Sequence, residues 1–188
     1  MDLFLAAAIA EARLGLAEGG IPIGSVLVLG GEIIGRGHNQ RVQRGSVIHH
    51  AEMNCLENAG RRTAADYRRC TIYSTLSPCP MCSGAVLLYG IPRVVAGENV
   101  TFMGPEDYVR SQGVHVEIVQ DPECIELMRD FIAARPELWN EDIGVRARRY
   151  FFCTAMIVMS SLCGWLPAKS LTAFWNASST ACAPEGAA

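Results

Sequence analysis

The chain has 188 residues, of which 50% are hydrophobic and 19% charged, with a formal net charge of −3. That size and balance fit one well-cored globular domain and exclude an intrinsically disordered chain. The small negative charge speaks against nucleic acid as a partner, because nucleic-acid binders usually present a basic face.

In chain order, Leu3, Ala6, Ala7, Ala10, Leu14 and Ala17 recur at helical spacing, and Gly19-Gly20 closes a helix predicted over 2–18. Met1-Asp2-Leu3-Phe4 has an early acid and no basic stretch, so no secretory signal is expected. Short apolar runs over 25–29 and 32–35 flank Gly30-Gly31 and read as a hairpin. A helix is predicted from Ala51 to near Gly60, then a strand over 70–76 and a helix over 81–89. Further strands follow over 93–96 and 114–119. Between them, residues 97–107 carry Asn99, Gly104 and Pro105 and read as a loop that could line or cover a site. Residues 121–134 are amphipathic, with an acidic first turn and Arg135-Pro136 as the stop. A strand–helix–strand unit favours parallel pairing through a crossover. The expected fold is α/β, a five-stranded mixed sheet with helices on both faces.

Two stretches carry chemistry: His50-Ala51-Glu52 and Pro78-Cys79-Pro80-Met81-Cys82. Read together they spell H-x-E…P-C-x-x-C, the pattern of zinc deaminases that act on nucleobases. His50, Cys79 and Cys82 offer three ligands to Zn²⁺. A structural zinc is closed by four protein ligands, whereas a catalytic zinc keeps one position for water. Glu52, two residues past the histidine, is placed to move protons rather than to bind metal. A lone C-x-x-C could be half of a structural zinc site or a redox pair, and His50 alone could be an ordinary buried histidine. The joint pattern argues otherwise, because each part falls where a helix should begin. Free N–H groups and the helix dipole at such a start favour thiolates. His49 has the wrong offset to Glu52 and is not assigned as a ligand. Of the eight cysteines, Cys55, Cys70, Cys124, Cys153, Cys163 and Cys182 remain; they show no disulfide framework, and a reducing, cytoplasmic setting is expected.

The chain resembles the fungal-type cytosine deaminases of the cytidine-deaminase-like superfamily. The resemblance rests on Gly35-Arg36-Gly37-His38-Asn39, Leu56-Glu57-Asn58-Ala59-Gly60-Arg61 and Leu76-Ser77-Pro78-Cys79-Pro80-Met81-Cys82. It continues through Tyr89-Gly90-Ile91-Pro92-Arg93, Gly97-Glu98-Asn99-Val100, and Arg135-Pro136 with residues 139–144. It implies a three-layer α/β/α sandwich over residues 1–144, a homodimer, one zinc per subunit and a small-molecule nucleobase substrate. The implied reaction is hydrolysis of a cyclic amidine C–N bond, cytosine to uracil and ammonia, a step of pyrimidine salvage. It further implies that Asn39 hydrogen-bonds the pyrimidine and that Asp142 contacts the exocyclic amino group. Phe102 and Trp139 would cover the ring, and Ile23 would line the pocket. Ala51 departs from the glycine of the fungal enzymes and matches bacterial guanine and tRNA adenosine deaminases, though its backbone N–H can still serve the substrate. Read without the resemblance, Asn39 is a turn residue, Phe102 and Trp139 are core aromatics, and Asp142 is a surface or capping acid.

In the implied mechanism zinc makes hydroxide available at neutral pH, and Glu52 acts first as base and then as acid. Alternatives are a guanine or other nucleobase deaminase with a wider pocket, a tRNA adenosine deaminase with a basic pocket mouth, and a zinc module without catalysis. The acidic segment 139–142, expected at the mouth, disfavours the tRNA enzyme. Glu52 disfavours the inert module, since a structural zinc has no use for that acid.

Residues 145–188 change character. Arg146, Arg148 and Arg149 precede 150–168, an apolar run without formal charge, and the remainder is rich in Ser, Thr and Ala. A membrane anchor, an extra packed helix and an extension without a role of its own are the three readings, and composition favours the last. A small soluble substrate needs no membrane.

Overall fold

The structure, a computed structural model, describes residues 2–144. The expected apolar extension over 145–188 lies outside the described residues. Helix α1 (Leu3–Ala17) opens on Asp2, whose carboxylate accepts from the Phe4 N–H at 2.8 Å. Strands β1 (Gly24–Leu29) and β2 (Glu32–His38) form the expected hairpin. Gly30 and Gly31 both have positive φ, 61° and 87°, which matches the twist of a tight hairpin turn. Then come α2 (Arg41–Arg44), α3 (Ala51–Ala59) and α4 (Ala64–Tyr67), the last begun by a capping box of Thr63 and Asp66. Next follow β3 (Cys70–Leu76), α5 (Pro80–Tyr89), β4 (Arg93–Glu98), α6 (Glu106–Ser111) and β5 (His115–Ile118). The described residues end with α7 (Pro122–Ala134) and α8 (Pro136–Asp142).

The five strands form one mixed sheet in the order β2-β1-β3-β4-β5. β1 is antiparallel to both β2 and β3, while β3–β4 and β4–β5 are parallel. Alternation along the strands builds two apolar layers. Val26, Val28, Tyr73 and Val95 face α1 and α7, where Leu5, Ala8, Ile9 and Cys124 meet them. Leu27, Ile72 and Val94 face the other way, towards Cys55 and Leu56 of α3, Val86 of α5 and Val109 of α6. The result is the expected three-layer α/β/α sandwich.

Three departures from the sequence reading have local causes. β2 runs to His38 rather than ending at Gly35, because Gly24 to Leu27 of β1 keep pairing with it. Its Gly-Arg-Gly-His segment lacks apolar alternation, yet the glycines are required. A Cβ at Gly35 would lie 2.6 Å from the Cys55 carbonyl oxygen, and one at Gly37 would fall on the Cys55 nitrogen. Those two positions let α3 lie directly on β2. Of residues 97–107 only 99–105 are loop: β4 runs on through Glu98, and α6 begins at Glu106. α7 stops at Arg135-Pro136 as expected, but the proline is also the first residue of a further helix, α8, where its missing N–H has no partner to lose. Among the described residues no helix is long and apolar enough to cross a membrane.

Candidate active site

The site lies where α3 and α5 start beside the end of β3. His50 is the N-cap of α3 and Cys79 the N-cap of α5, both with extended backbone, and Cys82 lies in the first turn of α5. Pro80 at the first helical position fixes that turn, and Ser83 ties it back by donating to the Pro78 carbonyl at 3.1 Å. The ligating atoms of His50, Cys79 and Cys82 lie within 4.8 Å of one another, with His50 Nδ1 and Cys79 Sγ 3.5 Å apart. A tetrahedral zinc with ordinary Zn–S and Zn–N lengths sets that N···S separation at roughly 3.6 Å. Donor set and spacing therefore fit zinc, with one coordination position left for a non-protein ligand.

Charge is organised around those donors. The Cys82 thiol hydrogen-bonds Cys79 and is the largest influence drawing the Cys79 thiol down, to about 4, with His50 adding to it against the effect of burial. Cys82 is correspondingly held well above its usual value by that bond, by burial and by Glu52. The two sulfurs thus share one proton, and a dication bound by both takes its place. Burial works against a charged His50, but the bond to Cys79 and the nearby Asp142, Cys79 and Glu52 charges outweigh it and move His50 up.

Glu52 is almost fully buried, and its Oε1 accepts from the Ser74 hydroxyl at 3.0 Å. Burial first, then the charge of Cys79, pushes its pKa up. A buried carboxyl whose pKa is raised, beside a metal site, is suited to general acid–base work.

Around this centre the structure gathers most of the sequence-predicted set. A small pocket is lined by His50, Ala51, Glu52, Ile23, Phe102, Trp139 and Asp142. Phe102 and Trp139 meet edge to face with centroids 6.1 Å apart. Asn39 is fully buried and borders the pocket through Asp142, its Nδ2 standing 3.4 Å from both carboxylate oxygens. His49 stays apart, paired with Glu57 at 3.2 Å. Asp142 is not an acid at an open mouth: its side chain is 3% exposed and bonded to Arg41 at 2.7 Å.

Several residues here carried no sequence signal. Ser74 orients Glu52, and Arg41 holds Asp142. The loop carrying Phe102 is pinned by buried Glu98, whose carboxylate accepts from the Thr101 N–H at 2.9 Å and from the Thr101 hydroxyl. Ser77 donates to Glu106 at 2.8 Å and accepts from the Gly104 N–H at 3.1 Å. Gly104 has no room for a Cβ, which would strike the Pro78 carbonyl oxygen. The loop over the pocket and the cysteine turn are therefore one hydrogen-bonded unit.

Comparison with known proteins agrees with this geometry. Residues 1–98 match the cytidine and deoxycytidylate deaminase zinc-binding region. The chain is 52% identical over 141 residues to the cytosine deaminase of Candida albicans, a match covering 74% of this chain and 94% of that protein. It is 43% identical over 97 residues to the tRNA-specific adenosine deaminase of Bacillus subtilis, spanning 60% of that enzyme's length. Among solved structures, a tRNA:A34 deaminase superposes with a TM-score of 0.58 at 28% identity, over 66% of this chain and 98% of that one. The guanine deaminase of Nitrosomonas europaea superposes with a TM-score of 0.60 at 23% identity, over 69% and 83%, and shares the fold.

Proposed function

The chain belongs to the cytidine and deoxycytidylate deaminase zinc-binding family, and from that premise we propose that it hydrolyses cytosine to uracil and ammonia. The observation that carries the reading is a three-ligand metal site with buried Glu52 beside it, in a pocket lined by Phe102 and Trp139. Similarity to the Candida cytosine deaminase along 94% of that protein supports the same substrate.

His50, Cys79 and Cys82 would hold zinc, which would make hydroxide available at neutral pH. Glu52 takes the proton released at that step and delivers it to N3 of the base. It then takes the proton of the hydroxyl now on C4 and passes it to the amino group, which leaves as ammonia while the C4 carbonyl forms. The Ser74 hydroxyl donates to Oε1 of Glu52 and orients the carboxyl. Phe102 and Trp139, meeting edge to face, cover the ring and exclude water, which keeps Glu52 in the desolvated setting that raises its pKa. Asp142 accepts from the exocyclic amino group that uracil lacks, and Asn39 offers its second amide hydrogen to the ring. Ile23 and Ala51 line the pocket, and the α3 N-terminus gives Ala51 an N–H free of helical partners.

Residues 1–144 make up this catalytic domain, with 145–188 appended to it. The enzyme works as a homodimer in the cytoplasm, as one step of pyrimidine salvage. Exposed apolar side chains at Val47, Ile48 and Leu88 support a second copy, and free thiols at Cys55, Cys70 and Cys124 suit a reducing compartment. The test is ammonia release from cytosine, cytidine, guanine, adenine and tRNA. Cytosine should far exceed the rest, because the pocket is too small to admit a ribose. Equal rates on cytidine, or faster release from guanine or tRNA, would overturn the assignment.

A further inference from the structure

Asp142 is a buried carboxylate, and a charge so placed needs a counter-charge and filled hydrogen bonds. Both come largely from one residue. Arg41, the first residue of α2, donates from Nη1 to Asp142 Oδ1 at 2.7 Å and to the Glu141 carbonyl at 3.4 Å. Its Nε donates to the Ser46 carbonyl at 3.3 Å. The Arg41 backbone N–H donates to Asn39 Oδ1 at 3.0 Å, and Asn39 Nδ2 in turn reaches both Asp142 oxygens at 3.4 Å. Asn39, Arg41 and Asp142 thus close a ring that joins the end of β2 to the last turn of α8, across 101 positions of sequence between Arg41 and Asp142.

We propose that Arg41 is a positioning residue for base recognition. Its guanidinium fixes Asp142 through Oδ1 and turns Oδ2 towards the amino group of the substrate, while its backbone fixes the rotamer of Asn39. The inference rests on the proposed roles of Asn39 and Asp142 and adds the residue that aligns them. Arginine rather than lysine is needed, because two separate nitrogens reach partners in different directions. Without the clamp, Asp142 is a buried acid free to turn away from the amino group. Recognition of cytosine should then fail while zinc and Glu52 remain intact, since Arg41 touches neither the metal ligands nor Glu52.

The experiment is a double-mutant cycle on the full-length zinc-loaded protein: wild type, Arg41→Gln, Asp142→Asn and the double variant, with Arg41→Lys as the conservative control. Zinc content is expected to stay at the wild-type level in all. Each single variant should lose roughly 10²-fold in kcat/KM for cytosine, the scale of breaking a buried charge pair. The double variant should lose little more than the worse single, because both remove the same interaction. Arg41→Lys should recover part of the loss. Multiplying losses in the double variant, or Arg41→Gln within about threefold of wild type, would overturn the proposal. Should Arg41→Gln fail to fold, the same cycle run with Arg41→Lys decides it. Wild type that deaminates guanine or adenine instead of cytosine sinks the cytosine assignment alone, and the cycle read on that base still decides the coupling. Zinc-loaded wild type that turns over no base sinks both.

Discussion

Gly37 offers a direct test of how the fold sets the catalytic geometry. It pairs with Ser25 in the sheet, and α3 lies across it one turn beyond Glu52. A Cβ added there would stand 2.7 Å from Asn54 Oδ1 and 2.8 Å from the Asn54 carbonyl carbon, with the Cys55 nitrogen closer still. Ordinary contact begins at 3.4 Å, and the obstacle is helix backbone rather than a flexible side chain. Gly37→Ala must therefore push α3 off the sheet or bend β2. Overpacking of this kind costs about 1–3 kcal/mol, or roughly 3–10 °C in Tm for a domain of this size. The same displacement moves His50 and Glu52 away from Cys79 and Cys82. Misplacement by a good fraction of an ångström should lower turnover roughly 10- to 100-fold. Gly84→Ala is the control. Gly84 lies on the exposed side of α5 with nothing within 4 Å of its missing Cβ, so alanine there should be neutral or slightly stabilising. Melting, zinc content and ammonia release of the two variants are measured side by side. Unchanged melting and turnover in Gly37→Ala would falsify the claim that this contact holds the catalytic helix in place.

Three further outcomes are expected. Glu52→Gln should keep its zinc and lose at least roughly 10²-fold in turnover, the scale of a missing general acid–base group; near-normal ammonia release would remove Glu52 from the chemistry. After chelation of the metal, a limiting alkylating agent at pH 6 should modify Cys79 ahead of the other cysteines of residues 2–144. Its thiol is drawn down to about 4 by Cys82 and His50, whereas burial lifts Cys55 to about 12 and Cys82 stays well above its usual value. Peptide mass spectrometry showing Cys82 or Cys55 labelled first would contradict that ordering. A chain ended after Arg149 should hold zinc, dimerise and turn over cytosine like the full-length protein; loss of any of these would make residues 150–188 part of the working fold.

The chemistry was legible in the sequence because it is local. H-x-E and P-C-x-x-C each sit within one helix start, so the ligands, the acid and the elements that present them all follow from short-range spacing. The order of strands and helices was legible for the same reason, since periodicity and turn residues act within a few positions. The end of β2 was misread where a neighbour overruled local pattern, because β1 carries pairing through a glycine-rich stretch; α7 ended where expected, but Pro136 also starts a short helix that the pattern did not announce.

Resemblance pointed to Asn39, Asp142, Phe102 and Trp139, but their surroundings belong to the tertiary structure. Nothing near Asp142 in the chain announces Arg41, nothing near Glu52 announces Ser74, and nothing near Phe102 announces Ser77. These partners are 22 to 101 positions apart, brought together only when the sheet assembles. An acid that reads as surface charge in the sequence becomes a buried, paired group in the fold. The sequence by itself determined which atoms can bind a metal and move a proton. Tertiary packing alone decided how dry those atoms are and how they are oriented, because solvation and orientation depend on residues that the chain order keeps far apart.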